Sequence, residues 1–457
     1  MLKSVRLTLT LLALTGPMAG HAEDLLEIYQ TAWQNDPVLG AARAGYDARE
    51  QAVPLARAAL LPNITAGAQT NWNEREFPGN SQFNQDFNDN GWQARLAQPI
   101  VDVESWFNLR SAKASVQGAE LDLRSQEQQL ISRVVGAYLN VLRAQDLLES
   151  TMAEEAAVKR QLEQVQQRFD VGLVAITDVL EAQAAYDNSV VRRIQADSDQ
   201  DIYFESLRTL TGESYNRLAR ISEDLPIVNP QPRNEDEWLN VALESNLNIL
   251  AAEAQLKAAE RNLQARRSGH LPTVDATATH NYNKTGGTSF LGSEVEQTVY
   301  GLTITLPIYQ GGFTSARTSE ARAQMEQARQ QLVAQQLTVT RDTRNLFRAV
   351  ATDVVRVRAR ARSIESAQSA LEATQTGYEV GTRNIVDVLQ AQQRLYLSQF
   401  DYADSRYNYM LDLMGLKQAV GTLSEEDLAE FNRFADSANP VERVNSLRNR
   451  SADLGDQ

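Results

Sequence analysis

Residues 168–180 read RFDVGLVAITDVL and residues 377–389 read GYEVGTRNIVDVL. Phe169-Asp170-Val171-Gly172 of the first stretch recurs as Tyr378-Glu379-Val380-Gly381, and Asp178-Val179-Leu180 recurs as Asp387-Val388-Leu389, both at an offset of 209 positions. Other anchors keep nearly the same offset: Ala41-Ala42 with Ala251-Ala252, Leu61-Pro62 with Leu271-Pro272, and Pro99-Ile100 with Pro307-Ile308. Matches at a near-constant offset across most of a chain mark a tandem duplication. The proline-rich residues 225–232 are its seam.

Gly172 and Gly381 each interrupt a long helical pattern. No proline occurs between Pro99 and Pro226 or between Pro307 and Pro440, and residues 313–376 hold neither proline nor glycine across 64 positions. That run is dense in Ala, Gln, Arg, Glu and Leu, which favour helix. At ~1.5 Å per residue it makes a rod of roughly 95 Å, too long for an ordinary globular helix and indicative of a coiled coil or helical array. In the first copy Leu123, Leu130, Val134, Tyr138, Val141 and Leu148 recur at helical steps, giving a helix with an apolar seam. Past Gly172 and Gly381 the pattern resumes and ends near Gly212 and Gly415. Two long helical hairpins are predicted, over about 104–212 and 313–415.

Ahead of each hairpin the period falls to two. Ile64, Ala66, Ala68, Thr70 and Trp72 alternate with Thr65, Gly67, Gln69 and Asn71, and Trp92, Ala94 and Leu96 alternate with Gln93, Arg95 and Ala97. In the second copy Val274, Ala276 and Ala278 alternate with Asp275, Thr277 and Thr279, and Tyr300, Leu302, Ile304 and Leu306 alternate with Thr303 and Thr305. Strand pairs are predicted at about 63–100 and 272–307. Such patterns fit a membrane barrel, with Trp72, Trp92, Tyr282 and Tyr300 as interface aromatics; they fit equally two hairpins on a soluble core. Four strands cannot close a barrel, which needs about eight, and lipid tolerates no open edge. A membrane barrel therefore requires several chains. The polar loops 77–91 and 283–292 would be its exposed tips, with Phe77, Phe83 and Phe87 at the outer mouth.

Composition narrows the functional classes. The chain has 457 residues, 44 Lys+Arg against 59 Asp+Glu, no cysteine and three histidines. The acidic balance argues against nucleic acid, whose phosphates need a basic face. The absence of cysteine excludes a thiol nucleophile, a disulfide framework and a lipidated N-terminal cysteine. Residues 1–22 carry Lys3 and Arg6, an apolar run and a small-residue cleavage site after Ala22, the pattern of a secretory signal peptide. His270 and His280 remain and read as structural. With so few histidines, neither a catalytic cluster, a metal site nor a cofactor is expected. Ser424 and Asp427 form a capping box opening a short amphipathic helix, 424–435. Residues 436–457 are polar and predicted to be disordered.

These features together resemble the TolC family of outer-membrane channel tunnels. The match rests on VGTRNIVDVL at 380–389, RFDVGLVAITDVL at 168–180, GHLPTVD at 269–275, LPIYQGG at 306–312 and GTLSEEDL at 421–428. It covers nearly the whole mature chain and is closer to the type that gives the family its name than to the lipidated members. The resemblance implies a mainly α fold with a membrane β part. Its parts would be a first repeat at 23–224, a linker at 225–233, a second repeat at 234–423 and a collar helix at 424–435. Three chains would form a homotrimer whose twelve-stranded outer-membrane β-barrel continues as a periplasmic α-helical barrel.

By the same resemblance, Thr177 and Asp178 face Tyr378 and Arg383 in links that hold the periplasmic tip closed, opening like an iris. Asp387 matches an aspartate of the pore aperture, while Gln390 stands where the family has a second one. Three Asp387 carboxylates some 6 Å apart would repel by ~0.7 kcal/mol per pair in water and ~3 kcal/mol at an effective dielectric of 20, a ring that attracts cations. Val171, Gly172, Leu173, Val380, Gly381 and Thr382 would border the grooves where a periplasmic adaptor (membrane fusion protein) docks. The implied function is the exit duct of tripartite drug efflux pumps and type I protein secretion. An inner-membrane RND, ABC or MFS transporter would drive it, and outer-membrane lipid would surround the strands. A periplasmic adaptor also has long hairpins, but only one; a trimeric surface structural protein would carry stalk repeats. Taken singly, Asp and Arg beside helix turns are usually solvated or capping residues.

Overall fold

The computed structural model describes residues 22–286 and 294–443; the signal-peptide segment lies outside them but for Ala22. The chain runs twice through short helices, two strands, a long helix and its return helix, each pass ending in a further strand. The first pass is α1 (Leu25–Asn35), α2 (Pro37–Glu50), α3 (Ala52–Ala58), β1 (Asn63–Arg75), β2 (Gln85–Val101), α4 (Val103–Asp170), α5 (Ile176–Thr211) and β3 (Arg217–Ile221). The second is α6 (Glu235–Ser245), α7 (Leu247–Ser268), β4 (Thr273–Lys284), β5 (Glu294–Thr305), α8 (Phe313–Glu379), α9 (Ile385–Val420), α10 (Glu425–Asn432) and β6 (Ala435–Glu442). The long helices have 68 and 67 residues and their return helices 36 each. Among the described residues no helix is both long and apolar enough to cross a membrane.

Two compact units divide the chain. One, residues 41–126 with 239–342, holds an antiparallel sheet in the order β1-β2-β4-β5. Directly opposed residues share a face of a sheet, so the register decides what each face carries. Ile64 lies opposite Leu96, Ala66 opposite Ala94 and Ala68 opposite Trp92. Leu96 lies opposite Ala278 and Trp92 opposite Tyr282. Ala278 in turn lies opposite Tyr300, Ala276 opposite Leu302 and Val274 opposite Ile304. All four strands therefore turn most of their apolar positions to one face, Val295 and Val299 of β5 excepted. Gly67, Gln93, Arg95, Asp275, Thr277, Asn281 and Thr303 line the other. The apolar face is bare: Trp72 and Tyr300 are 77% and 81% exposed, and Ile64, Leu302 and Ile304 are exposed too. Among the described residues, β1 and β5 each leave one ladder edge unpaired.

The first strand loop is shorter than predicted. β2 begins at Gln85, so residues 85–91 are strand and not loop tip. Their Asn and Asp residues gave no apolar alternation, but their side chains bond along the ladder: Asn88 Nδ2 donates to Thr70 Oγ1 at 2.7 Å and Asn73 Nδ2 to Asp89 Oδ2 at 2.9 Å. Phe87 is buried, with the Arg75 guanidinium over its ring, while Phe77 and Phe83 meet edge to face. Of the second loop, residues 287–293 lie outside the described residues, and Asn283 and Lys284 end β4. His280 lies on β4, its Nδ1 2.9 Å from Thr298 Oγ1 and its ring against Trp92.

The other unit comprises, of the described residues, 22–40, 127–238 and 343–443. Leu130, Val134, Tyr138, Val141 and Leu148 of the predicted seam are buried there; Leu123, in the first unit, is half-buried. Tyr138 O–H donates to the Ala219 carbonyl of β3. Tyr407 of α9 donates to Asp146 of α4 at 2.6 Å, and Arg220 of β3 bonds the same carboxylate. Two sequence expectations change here. α9 does not stop near Gly415 but runs to Val420, ending at left-handed Gly421. Gly415 is instead a close-approach point, where a Cβ would stand 3.2 Å from Leu346 Cδ2. Residues 436–442, expected to be disordered, and 435, expected to end the helix, form β6 and pair antiparallel with β3. That strand is polar in sequence, yet Val441 is buried, and Arg443 beyond it reaches Asp201 at 3.0 Å. Residues 444–457 lie outside the described residues. Asp427 accepts the Ser424 N–H at 2.9 Å, capping α10 as its sequence implies.

Candidate functional site at the hairpin turns

The opening stretches of sequence fold into two copies of one turn. Gly172 and Gly381 take φ of 77° and 79°, left-handed values that side chains with a Cβ resist. In the first turn Leu173 N–H bonds the Arg168 carbonyl at 2.8 Å and Gly172 N–H the Phe169 carbonyl at 2.8 Å. In the second, Thr382 N–H bonds the Gly377 carbonyl at 2.8 Å and Gly381 N–H the Tyr378 carbonyl at 3.1 Å. Both are Schellman closures of a long helix, which is why the Val-Gly dipeptide recurs.

The next residues differ between copies. Asn384 caps α9, accepting Asp387 N–H at 2.8 Å, and Asp387 Oδ2 accepts Asn384 N–H at 3.4 Å. Ala175 stands at the equivalent place on α5 with no side-chain cap. Asp387 is therefore both a capping carboxylate and a half-exposed charge, on the helix N-terminus that stabilises it. Gln390, three residues on, is exposed. Arg383 leans on Asp387, Nη1 to Oδ2 at 3.9 Å, and its stem lies against Gly377, where a Cβ would be 2.8 Å from Arg383 Cγ.

Behind the turns the hairpins are joined by apolar contact. Val158 and Val165 of α4, Val179 and Ala182 of α5, and Ile385 and Leu389 of α9 form one buried cluster; Leu371 of α8 joins Val388, Ala391 and Leu395 of α9 in a second. Tyr378 packs on both. Its ring lies under the Arg168 guanidinium at 5.0 Å, and its buried hydroxyl has no hydrogen-bond partner among the described residues. Burial pushes the Tyr378 hydroxyl above its usual pKa; Arg168 opposes the shift and the nearby Asp178 carboxylate adds to it. Thr177 Oγ1 donates to Asp178 Oδ1 at 3.5 Å. The structure thus brings Asp178 and Tyr378 near each other and turns Arg383 to Asp387. Within one chain no Asp178–Arg383 pair forms among the described residues.

Val171, Leu173 and Val380 are 71%, 70% and 68% exposed, with Gly172, Gly381 and Thr382 open beside them. Apolar side chains this bare at the tips of long helices suit contact with another protein. Sequence reasoning missed the Arg168–Tyr378 stacking and the Asn384 cap. The cap was legible as an Asn three residues before an Asp; the stacking, across two copies, was not. Among the described residues no group of His, Asp and Glu is placed to hold a metal ion.

Comparisons with known proteins bear on the family and the fold. The model of the family described as Outer membrane efflux protein matches residues 28–213 and 238–422, one match per repeat. The outer membrane protein TolC of Vibrio cholerae is 36% identical over 90% of this chain and 93% of its own length, and that of Escherichia coli 35% identical over 90% and 85%. The alkaline protease secretion protein AprF of Pseudomonas aeruginosa is 27% identical over 88% and 85%. Among solved structures, CusC superposes with a TM-score of 0.78 at 16% identity, covering 87% of this chain and 92% of that one. VceC of Vibrio cholerae gives 0.75 at 17%, covering 87% and 96%; at such identities the likeness is one of fold. On its sequence, the chain belongs to the outer membrane efflux protein family and lies close to its TolC members, channels and not enzymes.

Proposed function

We propose that the protein is an outer-membrane channel that serves as exit duct for efflux and type I protein secretion. The observation that carries this is the sheet: four antiparallel strands, apolar on one bare face, polar on the other, with a free edge at each side. Such a sheet is complete only when β5 of one copy pairs with β1 of the next, and three copies close twelve strands around a polar lumen. The hairpin turns then form the periplasmic gate. Asp178 and Thr177 meet Tyr378 and Arg383 across the closed tip, Asp387 sets the aperture, and Gln390 leaves it with a single acidic ring. The bare Val171, Leu173 and Val380 dock an adaptor that links the channel to an inner-membrane pump.

Reconstitution tests this reading. Purified protein in planar bilayers is expected to conduct and to prefer cations. Asp387→Asn keeps an oxygen for the Asn384 cap but removes the charge, so its reversal potential in a salt gradient should move toward zero. An unchanged potential would place the selectivity elsewhere in the tube. Deletion of the gene should impair both drug tolerance and protein secretion; loss of neither overturns the function.

A further inference from the structure

Asp353 of α8 is buried, its side chain 1% exposed. Arg356, one turn on, holds Oδ1. Oδ2 has no hydrogen-bond donor among the described residues. What lies within hydrogen-bonding reach of Asp353 is Asp412 of α9, a second carboxyl. Two carboxylates in contact cannot both be ionised without a large cost, and the ordinary resolution is one shared proton.

Several cations on the neighbouring turns are already engaged among the described residues. On α4, Arg143 is taken by Asp404 at 2.6 Å and by Asn408, one turn before Asp412. Lys417, further along α9, is taken by Asp427 and Glu430. Arg344 and Arg348 of α8 both reach Glu235 at the start of α6. Nor is the pair a by-product of the duplication, since the positions 209 earlier are Ala144 and Tyr203.

We propose that Asp353 and Asp412 form a proton-binding site between α8 and α9, which clamps the second hairpin when occupied and loosens it when empty. Burial and Asp412 push the Asp353 carboxyl up from 3.8 to about 6. A raised acid holds its proton more tightly in the folded chain. The stabilisation is therefore full in acid, declines as pH climbs from the unfolded value through about 6, and is flat above.

Full-length trimer in detergent tests the site. Its infrared difference spectrum should hold a protonated-carboxyl band that titrates with a midpoint near 6, and its melting temperature should fall from pH 5 to pH 8. Asp412→Asn can still donate to Asp353 and should remove the component of the band and of the slope with its midpoint near 6; Asp353→Asn should do the same, and either variant suffices if the other fails to fold. A band and slope that persist in a folded variant overturn the proposal. So does a wild-type melting temperature at pH 8 that added calcium ion restores, which would make the pair a cation site.

Discussion

Leu302→Lys is expected to remove the protein from the outer membrane as an assembled trimer. Leu302 stands on the apolar face, opposite Ala276 and two residues from Tyr300 and Ile304 on β5. A lysine facing lipid near the bilayer midplane costs ~2–4 kcal/mol, and threefold symmetry multiplies it to roughly 6–12 kcal/mol per trimer. That is comparable with the whole margin of a folded state, about 5–15 kcal/mol. Thr303→Lys, one residue along, points into the polar face beside Thr277 and Gly301 and should leave heat-modifiable trimers in membrane extracts. Equal behaviour of the two variants would mean that the face assignment is wrong. The comparison is sharp because side chains alternate on a strand, so one position changes the surroundings and almost nothing else.

Asp178→Ala combined with Arg383→Ser is expected to raise single-channel conductance. Inside one chain Arg383 rests on Asp387 at 3.9 Å with its side chain largely exposed, an ion pair worth little in water. On the proposed gate Asp178 recruits it when three chains come together, and the Tyr378 hydroxyl, buried without a partner among the described residues, gains an acceptor there. If each protomer's link is worth ~1 kcal/mol, losing three shifts the open-to-closed ratio by about a hundredfold. Assembled double-mutant trimers with wild-type conductance would remove these residues from the gate. Tyr378→Phe separates the contributions, since it deletes only the hydroxyl and keeps the ring under Arg168.

Much of the fold was legible because the chain repeats. Val-Gly at 171–172 and 380–381 must close a helix, since the turn needs a left-handed residue there. The strands were legible from period two, except where Asn and Asp replaced apolar residues at 85–91. Gly415 misled because glycine serves both a helix stop and a close helix contact, and only the neighbour, Leu346, tells which. Residues 435–442 misled because a strand whose partner supplies the burial needs no apolar pattern of its own. The turn residues were found by position, but not their pairing: Asp387 reads as a pore charge and is also the cap partner of Asn384.

The sequence by itself determined the duplication, the long hairpins, their turns and the two-faced strands, because helix period, strand period and glycine conformation are local properties of the chain. Only the tertiary structure decided which residues from different copies meet. The order β1-β2-β4-β5 joins the repeats through β2 and β4 and so gathers four separate apolar rows into one face. The same holds for Tyr378 beneath Arg168 and for Asp353 against Asp412. Pairings between distant positions depend on packing and register, and no period in the sequence encodes them.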